Sequence, residues 1–385
     1  VKVLIEGHRL ARARDFGGID SYWHRLVPEL LSLGDPELRL LVLSAFLHPR
    51  HRGALTPLQE RGAILRHWWM TPEALYALRR VGARFEWFAG PHDLVHLPEP
   101  VCPLRSDGRV VVTAHDLMYL HHPQFLHPRW TARLLRGTEA LAARADLWIC
   151  VSEHTRVDLV RHYGVARGRT VVVPHGVDPS FAAAGADPAR AAEVARRLEL
   201  GGAPYFLFVG SVEPKKNLPL LLEAYGQAVE RDRVRARLVI AGRAAWGMPE
   251  ADAALARHPA LRERVRFLGF VAQDDLPPLV AGARALLLPS RYEGFGMPVL
   301  EAMAAGTPVA CSNRGALPEV SGGAALLHDP DDVAGIAEQL ARLDADDALC
   351  ENLRARGRAQ AEPFTWRRCA EQTVDAYRMA LALPA

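Results

Sequence analysis

Three short stretches carry residue types whose spacing suits chemistry on a phosphorylated, hydroxyl-rich ligand. In Arg291-Tyr292-Glu293-Gly294-Phe295-Gly296-Met297-Pro298-Val299-Leu300-Glu301, two carboxylates stand on either side of a Gly-Phe-Gly turn. Carboxylates accept hydrogen bonds from sugar or ribose hydroxyls. Gly294 and Gly296 allow a close backbone approach, and the N–H groups of a helix opening near Pro298 favour an anion such as pyrophosphate. In Gly210-Ser211-Val212-Glu213-Pro214-Lys215-Lys216-Asn217, two lysines follow a strand and open a helix. Lysine is a compact point charge suited to phosphate. Of the 47 basic residues only Lys2, Lys215 and Lys216 are lysines, so an adjacent pair at that turn is not general solubilising charge. Arg243, in Ala241-Gly242-Arg243, adds a third cation after the next strand.

A histidine set is the third candidate. His115 ends the run Val110–Ala114 and is followed by Asp116, while His96 ends Asp93-Leu94-Val95-His96. Strand ends of open α/β sheets are where ligands bind, so either histidine could face an acceptor.

The elements that must hold these residues are legible as apolar runs. They are Val1–Glu6, Leu38–Ser44, Leu94–Leu97, Val110–Ala114, Leu147–Val151 and Thr170–Val173, then Tyr205–Val209, Arg237–Ala241, Val265–Leu268, Ala285–Leu288 and Pro308–Ser312. Segments of helical period separate them, a pattern that predicts parallel sheets covered on both faces. The fold class expected is α/β, with an N-terminal domain over 1–180 and a C-terminal domain over 189–365. The Pro174–Pro188 stretch is the expected linker, and a last helix over about 366–385 is expected to pack back on the first domain.

Composition removes several function classes. The 385 residues are 49% hydrophobic and 24% charged with net charge +3, too balanced for a protein held to nucleic acid by charge. Cys102, Cys150, Cys311, Cys350 and Cys369 have no zinc or redox-pair spacing and read as reduced thiols. No apolar run reaches the length of a membrane span, and Val1–Glu6 reads as a strand rather than a leader. A cytoplasmic protein is expected. Trp68-Trp69 and Arg129-Trp130 to Arg136 pair indoles with arginines, which would suit peripheral contact of the first domain with the inner face of a membrane. Asp344-Ala345-Asp346 has the spacing of a metal-binding acidic pair, but it reads as a solvated helix end, so no metal and no cofactor are expected.

Taken together, the two-Glu segment, Pro214-Lys215-Lys216-Asn217 and Ala241-Gly242-Arg243 resemble the family-4 retaining glycosyltransferases, which have the GT-B architecture of two Rossmann-like domains facing a central cleft. The likeness runs through the chain. Gly17-Gly18-Ile19 with Tyr22 resembles the family's first-domain glycine loop, and Thr113-Ala114-His115-Asp116-Leu117 the His-Asp-Leu sequence of a subgroup with bacterial mannosyl- and rhamnosyl-transferases. Asp146 through Ser152 to Thr155 and Pro174-His175-Gly176-Val177-Asp178 match further segments, with His175 where an Asn is usual.

The resemblance implies a retaining, metal-independent hexosyltransferase. Its co-substrate would be GDP-mannose or another nucleotide-diphosphate hexose, and its acceptor a glycan, a lipid-linked sugar or a glycosylated small molecule. It places Glu301 on the ribose and Glu293 by the transferred sugar. Gly294, Phe295, Gly296 and Met297 would lie along sugar and pyrophosphate, and Lys216 on the leaving diphosphate with Lys215, Arg243 and Ser211 near it. Gly17 and Gly18 would close on the donor. Relatives often carry an Arg where Ser211 stands. Two alternatives share the pattern: a same-fold nucleotide-sugar epimerase or hydrolase, and a catalytically silent sugar-binding protein.

Overall fold

The computed structural model describes residues 1–10, 18–43, 49–68, 74, 77–78, 80–101 and 104–384. Gly17, Trp69 and Cys102 lie outside the described residues. The described chain divides into two compact units, one of Val1–Gly176 with Phe364–Ala385 and the other of Val177–Pro363.

The first unit is built on seven strands: β1 (Lys2–Glu6), β2 (Glu37–Leu43), β3 (Ile64–Trp68), β4 (Leu94–Leu97), β5 (Arg109–Ala114), β6 (Leu147–Cys150) and β7 (Thr170–Val172). They pair in the order β3-β2-β1-β4-β5-β6-β7, all parallel. Val3 on β1 pairs with Leu38 on one side and Leu94 on the other, so strand order reverses between β1 and β4. Both faces are covered, and Leu4, Phe85, Val95, Val112 and Trp148 form one apolar cluster. Full burial on both faces is what near-continuous apolar strands imply.

The second unit repeats the plan with β8 (Tyr205–Val209), β9 (Arg237–Ala241), β10 (Val265–Gly269), β11 (Ala285–Leu288), β12 (Val309–Ser312) and β13 (Leu326–His328), ordered β10-β9-β8-β11-β12-β13 and all parallel. Its reversal lies between β8 and β11. In each unit, therefore, the central pair of strands opens the crevice where ligands of doubly wound sheets bind.

Two strands escaped the sequence reading. Strand β3 (Ile-Leu-Arg-His-Trp) is an edge strand with a half-exposed, alternating pattern, and β13 has only three residues. As a result Trp68 sits on a sheet edge, its Nε1 donating to the Phe88 carbonyl at 2.8 Å, and not on an amphipathic helix. Trp130 does lie on a helix, Pro128–Ala142, half-exposed with the Arg133 guanidinium 5.2 Å from its ring centroid. Among the described residues no helix is long and apolar enough to cross a membrane.

The expected linker is also helical. Asp178 caps the helix Pro179–Gly185 by accepting from Ser180 N, Phe181 is buried, and a Cβ at Gly185 would stand 2.3 Å from the Ala305 carbonyl. Proline in a first turn starts helices as readily as it marks linkers, and Pro179 and Pro188 each open one, while the boundary between the two compact units, Gly176 to Val177, falls within the same stretch. The last helix, Trp366–Ala382, packs in the first unit: its Tyr377 hydroxyl meets His96 Nδ1 at 2.8 Å, and Trp366 lies 5.7 Å from Tyr22, ring to ring. Asp344 and Asp346 are structural acceptors, Asp344 from the N–H groups of Arg235 and Ala236 and Asp346 as the cap of the helix Asp347–Ala361.

Candidate functional site

In the second unit the two glycine-containing turns meet at the carboxyl ends of β8 and β11. After β8, Gly210 (φ +147°) takes a conformation open to glycine, and a Cβ there would stand 3.3 Å from Lys216 Cε. Gly242 packs against the same turn so tightly that a Cβ would lie 1.9 Å from the Gly210 carbonyl oxygen. The chain then makes the turn Pro214–Lys216 and enters the helix Leu218–Glu230 through Asn217, whose φ is +58°. Asn217 is held there by its Nδ2–H donating to the Pro330 carbonyl at 2.6 Å.

This turn delivers Lys216 to Glu293. Lys216 Nζ donates to Glu293 Oε1 at 2.7 Å, and Ser290 Oγ donates to the same oxygen at 2.7 Å. Glu293 is 8% exposed. Burial by itself would push its pKa up, but the ammonium groups of Lys216 and Lys215, with the two hydrogen bonds, more than offset this and hold the carboxyl below its ordinary value. The loop around Glu293 is pinned twice more. Ala316 N donates to its carbonyl at 2.9 Å, and Arg291 N donates to the Lys215 carbonyl at 2.8 Å, which joins the two motifs through backbone.

Gly296 (φ +105°) then caps the eight-residue helix Met297–Ala304 with Pro298 in its first turn. Glu301 lies half-buried on that helix, while Gly294, Phe295 and Gly296 are buried. Ser211 and Lys215 are half-buried on the β8 turn. Arg243 is exposed after β9, its guanidinium 4.8 Å from the ring centroid of Phe270, an exposed aromatic after β10. The structure thus brings Lys216 and Glu293 together, and sets Ser211, Lys215, Arg243 and Gly294–Met297 on the same edge of the sheet.

A groove of about 870 Å³ opens at the opposite, amino-terminal end of β8, lined by Ala191, Gly201, Tyr205 and Gly282 among others. It contains none of the candidate site residues named from the sequence.

In the first unit the structure separates the two histidines. His96 is fully buried, with Nδ1 2.8 Å from the Tyr377 hydroxyl and Nε2 2.7 Å from Thr113 Oγ1. Both nitrogens are used inside the core, so His96 fastens the last helix to the sheet and is not an acceptor-side group. Burial, then the neighbouring His115, takes its pKa down to about 3. His115 differs. It bonds to the Pro98 backbone, and its Nε2 is buried with no partner among the described residues. Pro98 has only a carbonyl to offer, so Nδ1 is the donor and Nε2 keeps its lone pair. Burial and the Arg9 guanidinium push its pKa down to about 3, against Glu99 and the Pro98 bond, so the ring is neutral. Asp116 accepts from Met118 N at 3.2 Å and starts the helix Met118–His121. Gly18 opens the helix Gly18–Ser32, exposed, with open space where a Cβ would be.

Around His115 lies a charged cluster that the sequence reading missed. His8 bridges the carboxylates of Glu6 and Glu99, the latter through Nε2 at 3.2 Å. Arg9 donates to Asp20 Oδ1 at 3.1 Å and to Glu99 Oε2 at 2.5 Å. Burial opposes a charged His8, but Glu6 and Glu99 outweigh it and raise its pKa to about 9. Burial likewise opposes ionised Glu99, yet His8 and Arg9 bring it down to about 2. His175, in the Pro-His-Gly-Val-Asp segment, is buried 4.7 Å from the Tyr22 ring and 5.9 Å from His115. The missed signal was positional: Glu6 ends β1, His8 and Arg9 follow it, and Glu99 follows β4, the two strands at the reversal point.

Comparison with known proteins agrees with this arrangement. The model of Glycosyltransferase Family 4 matches residues 16–181, and that of Glycosyl transferases group 1 matches residues 190–360. O-antigen chain mannosyltransferase B of Escherichia coli is 36% identical over 290 residues, 74% of this chain and 74% of its own. D-inositol 3-phosphate glycosyltransferase of Salinispora tropica is 34% identical over 318 residues, 76% of this chain and 65% of its own. Among solved structures, HepE of Anabaena in complex with UDP-glucose superposes with a TM-score of 0.73 at 17% identity, over 98% of this chain and 99% of that one. The second matched region takes in the reversal point of the second sheet with its Lys216–Glu293 pair, and the chain belongs to glycosyltransferase family 4, its two parallel-sheet units being those of the GT-B fold.

Proposed function

We propose that the chain is a retaining hexosyltransferase that takes its sugar from a nucleotide diphosphate, GDP-mannose or another NDP-hexose, and passes it to a hydroxyl of a glycan, a lipid-linked sugar or a glycosylated small molecule. The observation that carries this reading is the pair of half-buried Lys216 and buried Glu293 at the reversal point of the second sheet. Breaking the bond from the sugar C1 to the β-phosphate oxygen leaves negative charge on the diphosphate, and a fixed ammonium beside it lowers the barrier directly. Lys216 supplies that ammonium, and Lys215 and Arg243 add to the field from the same sheet edge.

Glu293 holds Lys216 in place before the donor arrives. Glu301 accepts from the ribose hydroxyls, and the backbone of Gly294, Phe295, Gly296 and Met297 lines sugar and pyrophosphate. The exposed Phe270 ring, backed by Arg243, gives the base a stacking face. With the diphosphate neutralised by lysine, the reaction needs no metal at the donor. On the acceptor side, the neutral His115 presents Nε2 as a hydrogen-bond acceptor for a hydroxyl. In the retaining route the acceptor oxygen bonds to C1 on the face the diphosphate leaves, and its proton passes to the departing phosphate oxygen.

The donor is tested by thermal shift with UDP, GDP, ADP, CMP and dTDP, followed by transfer from the matching sugar nucleotide. One nucleoside diphosphate should raise the melting temperature clearly above the others. A flat response to all five would contradict the donor site.

A further inference from the structure

Away from the donor turns, the first unit carries a second group of polar side chains that the transfer reaction does not use. His154, Asp158 and His162 are spaced i, i+4 and i+8 on the helix Glu153–Tyr163, so they share one face. His121, the last residue of the helix Met118–His121, meets that face: its Nε2 lies 2.7 Å from Asp158 Oδ2. His154 Nε2 lies 3.5 Å from the same oxygen. The rings of His121 and His162 stand edge to face, with centroids 5.3 Å apart. One ligand atom from each of His121, Asp158 and His162 lies within 4.8 Å of the others, Asp158 buried and both histidines exposed.

We propose that His121, Asp158 and His162 form a binding site for a divalent transition metal, zinc by the character of its donors, separate from the sugar-transfer site. Two imidazoles and one carboxylate are a zinc-type donor set, with a fourth position left for water, whereas calcium and magnesium want oxygen donors throughout. Donors about 2.1 Å from a tetrahedral ion are roughly 3.3 Å apart, so a rotation of the exposed imidazoles closes the set. His154 Nε2 approaches the same carboxylate oxygen from one turn earlier on the helix. A bound ion ties the segment that follows β5, and with it the stretch after His115 and Asp116, to the helix that follows β6. It therefore acts as a staple within the first unit. Sequence inspection passes over it because His121 comes from a different element and no cysteine takes part.

The test is titration of tag-free, EDTA-treated full-length protein with cobalt(II), read by its visible d–d absorption and by competition with zinc. One equivalent should bind with the intense band of a tetrahedral site, and zinc should displace it. His162→Ala and His121→Ala, with circular dichroism unchanged, should weaken binding by roughly tenfold or more. Wild-type and variant titrations that coincide would overturn the site. A second reading needs no variant: zinc(II) should raise the melting temperature of the wild type and magnesium(II) should not, while equal effects of the two ions would also overturn it.

Discussion

The Lys216 ammonium and the Glu293 carboxylate, 77 residues apart in the chain, lie 2.7 Å from each other with Ser290 on the same oxygen. Glu293 is buried and Lys216 half-buried, so the carboxylate depends on the ammonium for much of its compensation. It follows that the lysine cannot be removed without consequences for the acid.

Lys216→Ala should lower kcat by about 10²- to 10³-fold, the loss seen when one fixed group that stabilises transition-state charge is deleted. It should also cost stability on the order of 3 kcal/mol, since Glu293 is left buried with less compensation. The double variant Lys216→Met with Glu293→Gln should recover most of that stability while staying inactive. Denaturant melts and steady-state rates on the three proteins separate the two effects; a double variant as unstable as the single one would mean the pair is not what fixes the turn.

Glu301→Ala should weaken binding of the preferred nucleoside diphosphate by roughly tenfold, the worth of hydrogen bonds from ribose hydroxyls to a carboxylate. Calorimetry with the diphosphate and its 2′,3′-dideoxy analogue is the check. The variant should bind the two alike, and a variant that still prefers the ribose form would contradict the assignment.

Gly242→Ala should be far more damaging than its size suggests. Its Cβ would lie 1.9 Å from the Gly210 carbonyl, so the β8 turn carrying Lys216 must move. A loss of about 1–3 kcal/mol with a fall in kcat is expected. Gly18→Ala, where a Cβ meets nothing, should leave stability within about 0.5 kcal/mol of wild type.

Much of this was legible in the residues themselves. Apolar runs marked eleven of the thirteen strands among the described residues, because buried parallel strands are written as continuous hydrophobic stretches. The edge strands β3 and β13 were not marked, because Arg66 and His67 interrupt the apolar run of β3 and β13 offers only Leu326 and Leu327 before His328. The two turns that meet at Lys216 and Glu293 were legible as motifs because they depend on glycine, proline and lysine, residues with few other reasons to stand at a strand end. The cluster of Glu6, His8, Arg9, Asp20 and Glu99 was not, because its members are common charged residues drawn from three segments. Its meaning comes only from strand order. His96 and His115 looked alike in sequence; what separates them is Tyr377, which arrives 281 residues later and occupies His96.

The first unit should be most stable near pH 6.5. The pKa of His8 is raised to about 9, so its contribution is complete below its ordinary value of 6.5 and is lost as pH climbs through 9. His96 and His115 are lowered to about 3, and His175 is lowered too, so below pH 6.5 the unfolded chain takes up protons that the folded one refuses, and stability falls on the acid side. His8→Gln should flatten the alkaline limb by on the order of 5 °C in Tm without moving the acid one. A melting-temperature profile from pH 5 to pH 9.5 decides it; an unchanged alkaline limb would remove His8 as its cause.

The donor account is tested most directly by calorimetry that compares the preferred nucleoside diphosphate with its unphosphorylated nucleoside, in wild type and in Lys216→Met with Glu293→Gln. If Lys216 holds the diphosphate, the wild type should prefer the diphosphate by about 100-fold or more, and the double variant should lose at least about tenfold of that preference, roughly 1.4 kcal/mol, while binding the nucleoside as before. An unchanged preference in the folded double variant would show that the phosphates are held elsewhere and would contradict the account.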